Sequence, residues 1–595
     1  MAMSKLTRLV SRVVVCCLAL VFLPTAPSAS AHSIPMTDRQ MVHESRHIVV
    51  AVVESTQARW NPQHTLIFTD YRLRVEDRLK GNAPERITLS MPGGTLDGET
   101  QGTCISTPLE TGARYLLLLG DLEQPSLAPV TGAQQGVFRE IGTPDGKRYA
   151  AVGSATSPIA IQGHPVEFRD FVAGVRALVE QVSAHPEPAD SPIRAGNSVP
   201  LPAKDYAPSA PIEKGTSSAA PAQAPEAVPP PPWTTRSETG LMAAPSGTPD
   251  RRDKGLEEEY VYQYRPPGPI TFNDFPASFP FAPYDQYQMA YWNIYARNLF
   301  RVYVTPTGTW AFGNGVFDLA GFPGNDQMLS QFGAAWGSTT LGITYYRVQN
   351  NAIIEADIAL NPAFSWTVDD RVATQPGGAY SFKHTMLHEL GHSWGLHHPW
   401  ETQNVWWDSV MNYSPKPYHF ARLLTDDALA VRSAYPGTAL RDGGLSSYTT
   451  QDSPLSNNAN YIASYPSPST LRPGGTFTVV NPIKLENTGT VGLANPTVEV
   501  YLTPTRFSFT GAIFLRALRY RLTARPGTIA YLSVGTLTVP GSTPGGTYYL
   551  AYFYRDAKDV NQGNNSAWSV VSSSSRAQGN LSAGSGAGGD LVVLP

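Results

Sequence analysis

The sequence predicts a multidomain, β-rich chain in which an α+β block is flanked by an N-terminal β-barrel-like block and a C-terminal β-sandwich. Three observations lead there. A length of 595 residues exceeds what one hydrophobic core supports. Glycine and proline are abundant, at 51 and 52, while charged residues make up only 15%, a balance that suits turn-rich strands joined by extended linkers. Short apolar runs recur between Gly and Pro turns at both ends of the chain. The formal charge of −4, without a long basic block, does not recommend nucleic acid or an anionic membrane as the main partner.

Residues 1–31 read as an export signal. Lys5, Arg8 and Arg12 precede an apolar run over 13–23, Pro24 ends it, and Ala29-Ser30-Ala31 supplies small residues for cleavage. The run reaches only about half of the roughly 20 residues needed to span a bilayer. A secreted, extracellular protein without stable membrane insertion is the expectation. Cys16 and Cys17 leave with the signal, so Cys104 is the one cysteine expected in the mature chain and no internal disulfide can form.

The first block, 32–182, carries a continuous apolar strand over 46–53, an alternating strand over 71–75, further strands over 87–89 and 115–119, and a helix over 166–182. A small closed or nearly closed barrel is expected. Over 183–255 the composition changes, with fifteen prolines and only Tyr206 and Trp233 as aromatics. Such a stretch cannot offset its ordering entropy by burial and reads as a linker. The central block, 256–445, shows a helix over 284–300 and strands over 343–347 and 353–360. The last block, 455–573, has strands over 477–480, 498–502 and 548–553, spaced as in an antiparallel sandwich. The Gly-rich tail, 574–595, reads as flexible.

The chemistry lies in the central block. His388 and His392 are four apart on a segment that should be helical to about Trp394, so both imidazoles rise from one face toward one metal. Glu389 follows the first of them and stands beside the metal, as a general base toward water. Gly395 permits a turn that presents His398 as a third ligand. Three protein ligands leave a coordination position open, which marks a catalytic zinc. His397 is a rival to His398 as ligand, and His384 reads as an orienting or packing residue.

The run His388-Glu389-Leu390-Gly391-His392-Ser393-Trp394-Gly395-Leu396-His397-His398 resembles the extended zinc signature of the metzincin metalloproteases, in their matrixin and serralysin-like branch. Ser409-Val410-Met411-Asn412-Tyr413 resembles their Met-turn, with Met411 under the metal. The resemblance implies a zinc endopeptidase acting on protein or peptide substrates, with Zn2+ held by His388, His392 and His398, and it leaves room for structural Ca2+. Glu389 would take a proton from zinc-bound water and pass it to the leaving amine, and Tyr413 would stabilise the oxyanion. The stretch 354–361 resembles the substrate-lining edge strand, which makes Ile354, Ala356 and Ile358 substrate-binding candidates. Leu424-Thr425-Asp426-Asp427-Ala428 resembles the start of the closing helix, with Thr425 as its N-cap.

Gly102-Thr103-Cys104-Ile105 does not match the inhibitory pro-segment of matrix metalloproteinases, so Cys104 carries no expected role in latency. The first block is expected either to be removed by cleavage in the linker or to remain as a targeting domain. Leu471-Arg472-Pro473-Gly474 and Asn561-Gln562-Gly563-Asn564-Asn565 resemble CARDB-type, Ig-like adhesion domains of bacteria, which implies a surface or protein partner for the last block. The competing functional reading is an extracellular adhesion or binding protein with a degenerate protease domain.

Overall fold

The computed structural model describes residues 38–184, 266 and 270–593, apart from internal stretches of which the longest are 275–283, 369–378, 399–408, 412–420, 452–459 and 570–589. The expected export signal and nearly all of the Pro-rich linker lie outside the described residues. What is described is a β-rich, multidomain architecture of several sheets with six α-helices. No described helix is long and apolar enough to cross a membrane.

A short helix α1 (Asp38–Glu44) leads into two long strands, β1 (His47–Trp60) and β2 (Ile67–Lys80), and then β3 (Arg86–Pro92). The chain next makes a hairpin of β4 (Gly94–Leu96) and β5 (Glu99–Thr103), which leaves the first sheet altogether. It returns with β6 (Arg114–Leu119), β7 (Val137–Gly142) and β8 (Arg148–Val152), to give the antiparallel order β3-β2-β1-β6-β7-β8. The expected barrel is therefore corrected to an open sheet: among the described residues no pairing joins β3 to β8. After a minor hairpin, β9 (Ala160–Ile161) with β10 (His164–Pro165), helix α2 (Phe168–Ala184) covers one face. Its Phe168, Phe171, Val175, Val179 and Val182 recur at helical spacing and are buried, with the Phe171 ring tilted against Phe138 of β7 at 4.8 Å.

The second sheet contains β11 (Ile270–Asp274), β12 (Phe300–Val304), β13 (Phe317–Gly321), β14 (Gly342–Gln349) and β15 (Ala352–Leu360), in the order β12-β11-β13-β15-β14-β5-β4. The first four are mutually parallel, and β14 runs antiparallel to β15. Against this sheet lie α3 (Tyr284–Tyr295) and α5 (Phe382–Ser393), with α4 (Asn325–Phe332) and α6 (Thr425–Ala434) nearby. Helix α5 starts where the Ser381 side chain accepts the His384 backbone N–H at 3.1 Å, and nearly its whole surface is buried. The first and central blocks share an apolar core in which Leu66, Phe68, Ile105 and Leu127 meet Trp310, Phe332, Trp336 and Tyr346. They form one packed unit.

The last block begins upstream of the expected boundary at 445, since Gly444–Ser446 pairs with 484–486. Its sheets built on 444–446, 483–486 and 529–532, and on 497–503, 513–519 and 546–554, share another core through Leu485, Leu532, Val500, Leu518 and Tyr552. The flexible-tail expectation is corrected at its end. Asp590–Val593 is a strand, antiparallel to 546–549 and parallel to 470–471, because Leu591, Val592 and Val593 are an apolar, β-favouring run that the glycines upstream obscure. This block is tied to the central one by buried and half-buried polar contacts. Tyr295 Oη donates to Asp442 Oδ2 at 2.5 Å, Arg422 Nη2 donates to Leu445 O at 3.0 Å, and Arg432 Nη1 donates to Thr488 O at 2.7 Å.

Candidate metal centre

Helix α5 delivers His388 and His392 one turn apart, and the chain turns at Gly395, whose φ of 86° is left-handed backbone that glycine adopts without strain. That turn brings His398 back over the helix. The three Nε2 atoms form a triangle with sides of 3.0, 3.2 and 2.9 Å, and all three residues are fully buried. His388 Nδ1 donates to Val410 O at 2.8 Å and His392 Nδ1 donates to Leu396 O at 2.7 Å. A carbonyl can only accept, so in these two rings the proton sits on Nδ1 and Nε2 presents its lone pair inward. Burial holds His392 neutral, with its pKa lowered to about 3. Lone pairs this close repel unless a cation lies between them. The triangle is close to the edge of about 3.3 Å expected for nitrogens about 2.05 Å from a tetrahedral zinc. These residues could hold a metal ion, and the donor set fits zinc. His397 and Tyr413 lie outside the described residues.

Met411 packs beneath the site. A Cβ built on Gly391 of α5 would fall 2.2 Å from Met411 Sδ and 3.0 Å from Trp292 Cζ2, so only glycine lets these side chains approach the helix. Trp292 Nε1 also donates to Leu387 O at 3.1 Å, which fixes α3 against α5. The turn carrying Met411 is held by the buried carboxylate of Asp427. Its oxygens accept from Val410 N at 2.8 Å, Leu424 N at 2.9 Å and Met411 N at 3.2 Å. Burial raises the Asp427 pKa to about 6 despite these donors.

Glu389 stands outside the histidine triangle, on the side facing β14, with a carboxylate oxygen within 4.8 Å of a ring nitrogen of His392. Three partners there carried no individual signal in the sequence. Thr344 Oγ1 of β14 donates to Glu389 Oε2 at 2.7 Å. Gly342 leaves room for the carboxylate, since a Cβ there would lie 2.7 Å from Glu389 Oε1. The third is Cys104. Its Sγ accepts the Thr344 backbone N–H at 2.9 Å and lies 3.4 Å from Glu389 Oε2, to which its S–H donates. Burial first, then the charge of Glu389, push the thiol pKa well above its ordinary value, which keeps the group a neutral donor.

The substrate-strand expectation is corrected. Ile354, Ala356 and Ile358 lie on β15, an interior strand. Leu319 of β13 pairs Ile358 on one side, while Tyr346 and Thr344 of β14 pair Ala356 and Ile358 on the other. Its backbone edges are spent, and Ala356 and Ile358 are buried. The outer strand of the central block is β14, which forms the wall beside Glu389. A run as continuously buried as 355–360 belongs inside a sheet, and that is the signal that separates the two strands.

The chain matches no protein-family model and no curated protein sequence. The functional reading therefore rests on the site itself.

Proposed function

We propose that this chain is a zinc-dependent endopeptidase with a metzincin-type catalytic block, acting on extended segments of protein substrates. One observation carries the reading: three imidazole Nε2 atoms converge with Nδ1 hydrogen bonds behind two of them, while the carboxylate of Glu389 stands beside the triangle and not in it. Zinc held there would supply Lewis acidity, lowering the pKa of water toward about 7 and polarising a peptide carbonyl. His388, His392 and His398 would hold the ion. The Val410 and Leu396 carbonyls fix the orientation of the first two rings. Glu389 accepts the proton of the attacking water at Oε1 or Oε2 and returns it to the leaving amide nitrogen. Thr344 holds that carboxylate in place through Oε2. β14 is the outer strand of the central block, and its far edge, which β5 covers here, is where an extended peptide would pair.

Metal analysis of the purified chain together with hydrolysis of denatured casein tests this. The expected outcome is one zinc per chain and, in a chain whose cleft admits a peptide hydroxamate, hydrolysis that a chelator abolishes and zinc restores. Stoichiometric zinc without hydrolysis, in a chain whose cleft is accessible to a peptide hydroxamate, would overturn the reading. Secretion and a binding role for the last block belong to the same proposal. Loss of residues 1–31 from the exported protein checks the first of these.

A further inference from the structure

The docking edge of β14 is already taken. β5 lies antiparallel along it, with Thr100 opposite Val348, Gln101 opposite Arg347, Gly102 opposite Tyr346 and Thr103 opposite Tyr345. The pairing extends one residue further, where Cys104 N donates to Thr344 O at 3.0 Å. These are the N–H and C=O groups that a strand-adding peptide would need. The seat is built in detail. A Cβ on Gly102 would fall 2.3 Å from the ring and hydroxyl of Tyr346, itself buried, so glycine is what lets β5 lie flat on the edge. Glu99 Oε1 accepts from Arg347 Nε of β14 at 2.8 Å. The Gln101 side chain anchors the hairpin to the first sheet, with Oε1 accepting from Ile67 N at 2.7 Å and Nε2 donating to Thr65 O at 3.1 Å. At its end the Cys104 thiol rests on Glu389.

We propose that the β4–β5 hairpin, with Cys104, is a built-in strand plug: it fills the peptide-docking edge of β14, lays a thiol on the general base, and keeps the chain closed until the hairpin moves away. This rests on the endopeptidase reading and adds its regulation. A hairpin present only to complete a sheet would have no need to end on the one carboxylate assigned to catalysis. Its backbone direction is also that of a peptide added antiparallel to an edge strand.

The test compares the full chain with Gly102→Val, whose added atoms cannot fit against Tyr346, and with the milder Glu99→Ala, which removes one of the two carboxylates on Arg347 and leaves Glu355 in place, without touching the core. Three quantities are read: alkylation of Cys104 by iodoacetamide, binding of a zinc-chelating peptide hydroxamate, and hydrolysis of denatured casein, with zinc content measured alongside. The expected result is that alkylation, hydroxamate affinity and hydrolysis rise together, at least tenfold in Gly102→Val and severalfold in Glu99→Ala. If the unaltered chain hydrolyses casein as fast as both variants while its Cys104 resists alkylation, the plug is overturned. If none of the three chains hydrolyses casein but Gly102→Val binds hydroxamate at least tenfold more tightly than the unaltered chain, the plug stands and the endopeptidase reading falls. Equal hydroxamate affinity in all three chains, with Cys104 alkylated faster in a variant, overturns the plug. Should Gly102→Val fail to fold, the same comparisons are read from Glu99→Ala.

Discussion

Replacing Gly391 by Ala sets two well-characterised effects against each other, and the geometry decides the sign. Helix propensity alone favours Ala over Gly by about 1 kcal/mol in a helix interior. Against this, the new Cβ would sit 2.2 Å from Met411 Sδ, so the sulfur must retreat by about 1.2 Å to reach an ordinary contact of 3.4 Å. Retreat is blocked on several sides. Met411 is fully buried, its backbone N–H is held by Ser409 Oγ at 3.0 Å and by Asp427, and Trp292 closes the flank at 3.0 Å from the same Cβ. Overpacking of this kind costs about 1–3 kcal/mol, which offsets the propensity gain and leaves a net loss. The strain also falls between the two histidines of α5, so zinc should bind about tenfold more weakly, equivalent to about 1.4 kcal/mol. Competition with a chromophoric chelator measures the affinity, and urea unfolding measures the stability. A Gly391→Ala chain that is more stable than its parent and binds zinc equally well would refute the packing argument.

Glu389→Gln keeps shape but removes the base, so hydrolysis by the opened chain should fall at least about 100-fold with zinc content unchanged in a metal assay. Thr344→Val deletes the hydroxyl 2.7 Å from Glu389 Oε2. A hydrogen bond to a charged group contributes about 1.5–3 kcal/mol, so kcat should drop about tenfold or more with KM little changed, and Thr344→Ser should recover most of the loss. Removing zinc should lower the stability of the central block by about 2.7 kcal/mol relative to a sample with free zinc at 100 times its dissociation constant, read as a fall in the unfolding midpoint that added zinc reverses. Asp559 is pushed up to about 8, by burial first and then by the charge of Asp442. An acid whose folded pKa exceeds its unfolded value of about 3.9 stabilises the fold while protonated, and that contribution is lost as pH rises toward 8. Asp559→Asn should therefore raise the melting temperature at pH 8 and change it little near pH 4.

What could be read from the sequence was local. His388, Glu389 and His392 sit within one helix, where spacing fixes which side chains share a face, and Gly395 with His398 completes the set within one further turn. Strands β14 and β15 were legible as strands for the same reason, through short apolar runs. Their neighbours are not, because pairing partners are chosen by tertiary packing, and so the resemblance of 354–361 to an edge strand points to β15 where the structure has β14. The open first sheet and the seating of Cys104 share one cause. The contact between Cys104 and Thr344 joins residues 240 positions apart, and no periodicity encodes it. Gly102 and Gly342 look like ordinary strand glycines until the Tyr346 ring and the Glu389 carboxylate are seen against them. The tail strand at Asp590–Val593 was hidden by the composition of the residues before it.

The hairpin and the strand it covers lie on opposite sides of the segment between Ala184 and Ile270, and this makes the closed state a matter of concentration. While the chain is continuous, the first block meets the central block intramolecularly, at an effective concentration set by the segment that joins them. A cut anywhere in that segment breaks no pairing between β5 and β14 and removes no atom from the shared core of Leu66, Phe68 and Trp336. It converts an intramolecular contact into a bimolecular complex. Nicked protein at high concentration would stay silent, and the same sample would gain activity on dilution, with a midpoint equal to the dissociation constant of the two pieces. Proteolysis would then act as a licence for activity, and dispersal into a large volume would be the event that switches it on.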